Sequence, residues 1–197
     1  MWRLWFCAVL LVCGCVRRPE LPRIAAVPSF SLTDQNAVTC TPDGFRGKVW
    51  IASFMFTSCK DVCPLLTSKM ASVRTRLAAQ RPELHFVSFS VDPAHDSPEV
   101  LKRYARAHDA DQPDWSFLTG PAEQVQAVIV EGFKQSVQRT PAVEGQAQTI
   151  LHGSYFVLVD RAGFIRGYYR SDQEGLLLLE RDARIVLAEK ATGAGAR

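Results

Sequence analysis

The chain has 197 residues, 47% of them hydrophobic, and a formal charge of +3 with acidic and basic residues interspersed. Such a composition suits a globular protein with a full core of its own and excludes a disordered chain. No basic block and no basic stripe interleaved with aromatics is present, which argues against nucleic acid as a partner.

The opening "MWRLWFCAVLLVCGC" carries one positive charge, Arg3, and then an apolar run too short to span a bilayer as a helix. It reads as a secretory signal. Residues 12–15, "VCGC", resemble a bacterial lipobox, in which small residues precede a cysteine that is lipidated on sulfur and becomes the mature N-terminus. Cys15 would be that residue, with residues 1–14 as the signal peptide; an ordinary signal peptide cut nearby, or an uncleaved anchor, is the alternative. Each version exports the rest of the chain. The expected location is the cell envelope, tethered by lipid and facing the periplasm or the outside of the cytoplasmic membrane.

Residues 16–28 contain three prolines and no periodicity, so residues 15–27 read as an extended tether. A single domain is expected over residues 28–190, with a disordered tail at 191–197. "SFSLTDQNAVTC" predicts a short hairpin around Asp34, Gln35 and Asn36; "KVWIASFMF" predicts a buried strand; and Val62, Leu65, Leu66, Val73 and Leu77 fall at helical spacing within residues 61–80. "LHFVSFSV" is the next strand. "SPEVLKRYARAHD" starts a helix with Pro98 in its first turn, and "WSFL" gives a short strand. Pro121 opens a helix with the stripe Val125, Val128, Ile129, Gly132 and Phe133, whereas residues 134–150 are polar and aperiodic, a long loop. "SYFVLVD" and "FIRGYY" flank the turn "RAG" as a hairpin, and residues 174–190 close the chain as a helix. The order predicts an α/β, thioredoxin-like fold with an N-terminal β-hairpin extension and an inserted helix.

In that fold "FMFTSCKDVCPLLTSKM", residues 54–70, places Cys59 and Cys63 at the C-terminal end of a central strand and the start of its helix. Pro64 needs no amide partner there. The amides and positive end of the helix favour thiolate over thiol, so both sulfurs are expected to be more reactive than an ordinary cysteine. Two thiolates suit Cu(I), zinc or a reversible disulfide. With the leader removed and Cys15 lipidated, Cys40, Cys59 and Cys63 are the remaining side-chain thiols, an odd number that does not suit a disulfide-stapled scaffold.

Of the four histidines, His85 lies in an apolar strand and reads as structural; His95 sits in a turn beside Asp92 and Asp96, which turn formation and capping explain as well as metal binding does; and His108 lies near a helix C-terminus. His152 differs, because it follows the long polar loop and precedes a core strand, at the same edge of the sheet as the cysteines. On the residues alone, it is either a ligand or a structural histidine.

The stretches "FRGKVWIASFMFTSCKDVCP", "VSFSVDPAHDSP", "WSFLTG" and "LHGSYFVLVDRAGFIRGYY" resemble the Sco/SenC family, copper-binding thioredoxin-like factors for assembly of cytochrome c oxidase. The resemblance covers about residues 28–170, and its T-x-C-x-x-x-C-P motif with a distant histidine is specific. It implies that Cys59, Cys63 and His152 bind copper, as Cu(I) and also as Cu(II) with added ligands, and that a membrane-tethered N-terminus is usual. It implies partners too: cytochrome c oxidase subunit II or a similar copper protein, other copper chaperones or thiol reductants, and the membrane through the lipid anchor. Asp92 matches the family's acidic residue in the D-P segment and is expected to be structural or to act behind the ligands. Asn36 stands where the family commonly has glycine, a position where asparagine tolerates positive φ. Cys40 has no counterpart; it is an inert buried thiol, a site for mixed disulfides, or a fourth ligand favouring tetrahedral zinc.

Three functions compete on these residues. A copper metallochaperone needs both sulfurs and His152; a thiol-disulfide oxidoreductase that reduces the cysteines of the oxidase copper site needs only the sulfurs. Peroxiredoxins share the fold, but their nucleophile usually has threonine or serine three residues earlier, where Phe56 and Lys60 stand here. The chaperone is the preferred reading.

Overall fold

Apolar runs of strand length build the centre of the molecule. In chain order the strands are β1 (Ala25–Ala26), β2 (Leu32–Asp34), β3 (Thr39–Cys40), β4 (Val49–Met55), β5 (Leu84–Ser90), β6 (Trp115–Thr119), β7 (Val137–Arg139), β8 (Ile150–His152), β9 (Tyr155–Val159) and β10 (Phe164–Arg170). The helices are α1 (Val62–Arg76), α2 (Pro98–Ala107), α3 (Ala122–Gln126) and α4 (Gln173–Ala188). This computed structural model describes residues 20–60, 62–139, 150–152 and 155–189; the side chains of residues 81, 137–139 and 150–152 lie outside the description, as do the expected leader, Cys15 and the tail. Among the described residues no helix is long and apolar enough to cross a membrane.

Every residue of β4 and β5 is buried, as in parallel strands covered on both faces. They pair in parallel from Val49↔Leu84 to Met55↔Ser90, β6 continues parallel on β5, and β9 lies antiparallel on the other side of β4. The full sheet has the order β1-β10-β9-β4-β5-β6-β2-β3, with β7 and β8 as a separate pair. This is the expected thioredoxin-like arrangement, with the β2–β3 hairpin as its N-terminal extension. Ser97 caps α2 by accepting the Val100 amide, and Asp172 caps α4 by accepting the Gly175 amide.

Four local expectations change. The expected tether is folded along its described length: Ala25 and Ala26 pair with Ile165 and Phe164, and the amides of Ile24 and Val27 donate to Ile165 and Gly163. A sheet edge is held by backbone hydrogen bonds, so it needs no side-chain periodicity. In the β2–β3 turn it is Ala37, with φ 61, that takes the left-handed conformation, not Asn36, because the Asp34 carboxylate accepts the amides of both Asn36 and Val38. The helix after Pro121 widens at Ala127–Gly132 into a π-helix, in which the Phe133 amide reaches back to Val128. That extra residue seats Phe133 against Trp50, Phe54 and Phe89. Finally, the expected loop at 134–150 contributes β7, paired with β8.

Candidate metal centre

β4, β5 and β6 run parallel, so the loops that follow them emerge at one pole of the sheet. The loop after β4 carries Cys59, and Cys63 is the second residue of α1. The Cys59 amide donates to the Phe56 carbonyl at 3.4 Å, and the Cys63 amide donates to Cys59 Sγ, also at 3.4 Å. All three described cysteines are thiols, with Cys63 buried and Cys59 partly so.

The two sulfurs are not equivalent, contrary to the expectation that the helix terminus activates both. Cys59 Sγ stands in front of the first turn and accepts an amide there, the setting that favours negative charge on sulfur. Cys63 is already inside that turn with its sulfur in the core. Burial pushes its thiol well above the ordinary range; the Phe56 backbone hydrogen bond opposes this, while the hydrogen bond to Cys59 and the charges of Cys59 and Asp96 add to it. The arrangement is a partly buried sulfur facing the helix terminus beside a fully buried one whose surroundings favour the thiol.

Behind the loop lies Asp96, for which turn formation, capping and metal binding all stood open on the sequence. Asp96 is wholly buried, and it accepts the Thr57 amide at 3.2 Å, the Thr57 hydroxyl at 2.5 Å and the Ser90 hydroxyl at 2.5 Å. It therefore ties the segment just before Cys59 to the loop after β5. Burial raises its carboxyl above the usual range, with the hydrogen bonds from Ser90 and Thr57 pulling the other way. The signal was available: the segment follows β5, whose parallel pairing with β4 makes the two following loops neighbours. Asp92 organises the turn instead, its carboxylate on His95 Nδ1 at 2.8 Å and its carbonyl accepting the amides of His95 and Asp96.

The remaining residues separate clearly. His85 is buried against Phe45 and hydrogen-bonded to the Ser116 hydroxyl at 3.0 Å, and His108 packs on Tyr104 at the end of α2, so both are structural. Cys40 lies on edge strand β3, four strands from β4 in the sheet order, or about 19 Å at the usual strand spacing. That distance rules it out as a fourth ligand with Cys59 and Cys63. Burial, with the Asp34 charge adding to it, pushes the Cys40 thiol up to about 11. His152 is known by its backbone alone, on β8 opposite Val137. β8 leads into β9, which pairs antiparallel with β4 through Ala52↔Val157, so the start of β9 lies at the pole where β4 ends. Two sulfurs thus stand at that pole, with His152 three residues before the strand that begins there, and soft thiolates fit a Cu(I) ion as cargo better than a hard cation. Among the described residues no group of three or more His, Cys, Asp or Glu side chains is poised around a metal position.

The SCO1/SenC family model matches residues 19–186. The chain belongs to the SCO1/SenC family. Three solved SCO1/SenC relatives share its fold over most of their length. A SCO1/SenC family lipoprotein from Bacillus anthracis is 31% identical, with a TM-score of 0.73 over 82% of this chain and 95% of that one. ScoI of Bradyrhizobium japonicum, a structure with copper bound, is 26% identical, with a TM-score of 0.69 over 80% of this chain and 99% of that one. BsSco, a member of the Sco family of cytochrome c oxidase assembly proteins in which a disulfide switch was identified, is 27% identical, with a TM-score of 0.73 over 87% of this chain and 100% of that one.

Proposed function

We propose that this SCO1/SenC protein is a copper metallochaperone that holds Cu(I) through Cys59, Cys63 and His152 and delivers it to, or matures, the binuclear copper site of cytochrome c oxidase. The observation that carries the reading is the pair of adjacent sulfurs at the pole where β9 begins, three residues after His152 in the chain. The copper-bound ScoI and the oxidase-assembly role of the family of BsSco support it. Cys59 meets the ion first, being the more accessible sulfur, and Cys63 follows by losing its proton to solvent as its sulfur joins the metal. Release runs by ligand exchange: partner thiolates or imidazoles enter as the ligands of this chain leave, which an open two- or three-coordinate site permits. Cys15 is the lipidated anchor that keeps the domain at the outer face of the membrane, as the B. anthracis lipoprotein suggests.

The division of the two sulfurs favours one alternative, a thiol-disulfide oxidoreductase in which Cys59 attacks a partner disulfide and Cys63 resolves the mixed disulfide. His152→Ala separates the two. It removes a metal ligand and leaves both sulfurs, so Cu(I) affinity is expected to fall while dithiol-disulfide cycling continues. In a strain lacking the native gene the variant is expected not to restore oxidase activity at ordinary copper levels, with a thermal melt confirming the fold. Full oxidase activity from a variant that has lost copper would replace the chaperone with the oxidoreductase.

A further inference from the structure

At the pole opposite the thiols a buried arginine ties the chain's entrance into the domain to the end of its last helix. Arg166 on β10 has a side chain only 1% exposed. Its Nε donates to the Pro22 carbonyl at 3.1 Å; its Nη1 donates to Asp160 at 3.2 Å and Glu189 at 2.6 Å; its Nη2 donates to the Leu21 carbonyl at 2.5 Å and to Glu189 at 2.8 Å. All five guanidinium donors are thereby engaged, and Arg23 adds a second cation 3.5 Å from Asp160. Asp160 begins the β9–β10 turn and Glu189 follows α4, so the cluster fixes the first described residues to the body of the fold.

Strand direction decides where this lies. β4 starts beside Val159, at the turn end of the β9–β10 hairpin, and runs to the cysteine loop. Its seven residues separate the two poles by about 20 Å, and the sixteen of α4, running from its Asp172 cap to Glu189, span about 24 Å.

We propose that the Arg166 cluster couples the membrane anchor to the domain so that the thiol pole is held away from the anchoring membrane, directed at a copper acceptor carried on a domain that projects from that surface. The inference rests on the reading of Cys15 as a lipidated anchor. Six residue steps from Cys15 to Leu21 reach at most about 21 Å, so the clamp stays near the bilayer and the thiols lie on its far side. An unclamped segment of residues 21–27 would add about the same reach again and release the orientation.

The test uses the full-length chain purified from membranes and placed in phosphatidylcholine vesicles that carry a headgroup nitroxide quencher. One variant carries a fluorophore on Cys59, with Cys40→Ser and Cys63→Ser; the other carries it on Ala162→Cys in the β9–β10 turn, with the three native thiols changed to serine. The probe at 162 is expected to be quenched at least about twice as strongly as the probe at 59, given poles about 20 Å apart. Arg166→Met is expected to remove that contrast. Should Arg166→Met fail to fold, a flexible Gly-Ser spacer inserted after Glu20 leaves the cluster intact and is expected to remove the contrast equally. A chain that sediments with vesicles but shows equal or reversed quenching overturns the orientation alone, as does a contrast that survives the spacer. A chain that does not sediment overturns the anchor reading and this proposal with it, leaving copper binding by the domain untouched.

Discussion

Thr57→Val probes how the thiol loop is held, because it exchanges a hydroxyl for a methyl group of similar size beside a buried charge. The lost contact is the 2.5 Å hydrogen bond to Asp96, which keeps the Thr57 amide and the Ser90 hydroxyl as partners. A hydrogen bond to an ionised group contributes about 1.5–3 kcal/mol. Thr57 is itself partly exposed, so water replaces some of the loss and the lower part of that range, about 1.5–2 kcal/mol, is expected. Asp96→Asn supplies the control. Burial raises the Asp96 carboxyl, so the folded state holds that proton more tightly than the unfolded chain and stability is lost as pH rises through the folded value. Asp96→Asn removes the charge while keeping one acceptor oxygen for Thr57, so it serves as the neutral background. In the Asp96→Asn background Thr57→Val should cost only about 0.5–1 kcal/mol, the size of a neutral hydrogen bond, leaving a coupling of about 1 kcal/mol. Urea unfolding of the four reduced, metal-free proteins at pH 7 measures it. Equal costs of Thr57→Val in both backgrounds would refute the charged clamp.

Two further outcomes test the body of the fold. His85 is held at about 4 by burial, with the Lys48 charge adding and Asp114 opposing, whereas the unfolded histidine titrates near 6.5. Between those values the unfolded chain binds the extra proton, so stability rises with pH across the window; urea melts should show about 3 kcal/mol of pH-dependent loss between pH 7 and 4 that His85→Gln removes, and an unchanged pH profile in that variant would contradict the burial argument. At Gly175 an added Cβ would lie 2.1 Å from the Arg170 carbonyl oxygen, a backbone atom. Gly175→Ala is expected to cost about 1–3 kcal/mol in the same assay, and a neutral effect would mean that the start of α4 can shift.

The sequence by itself determined the core strands, the helices that follow them and the thiol pair, for local reasons. Runs such as "VWIASFM" are apolar at every position, as a doubly covered strand must be, and Ser97 with Pro98 marks the start of α2 through its own cap. The cysteine spacing and Pro64 likewise fix a loop that closes into a first helical turn. Tertiary structure decided what depends on neighbours distant in sequence. Asp96 lies 39 residues from Thr57, and only the parallel pairing of β4 with β5 makes it the clamp of the thiol loop. The sulfurs differ because one faces the helix terminus and the other the core, which spacing does not encode. Cys40 is excluded from the centre by the strand order, and residues 21–27 belong to the fold because β10 and Arg166, well over a hundred residues later, supply the partners for their backbone. Local chemistry sets which element forms; burial and long-range pairing set which atoms it meets.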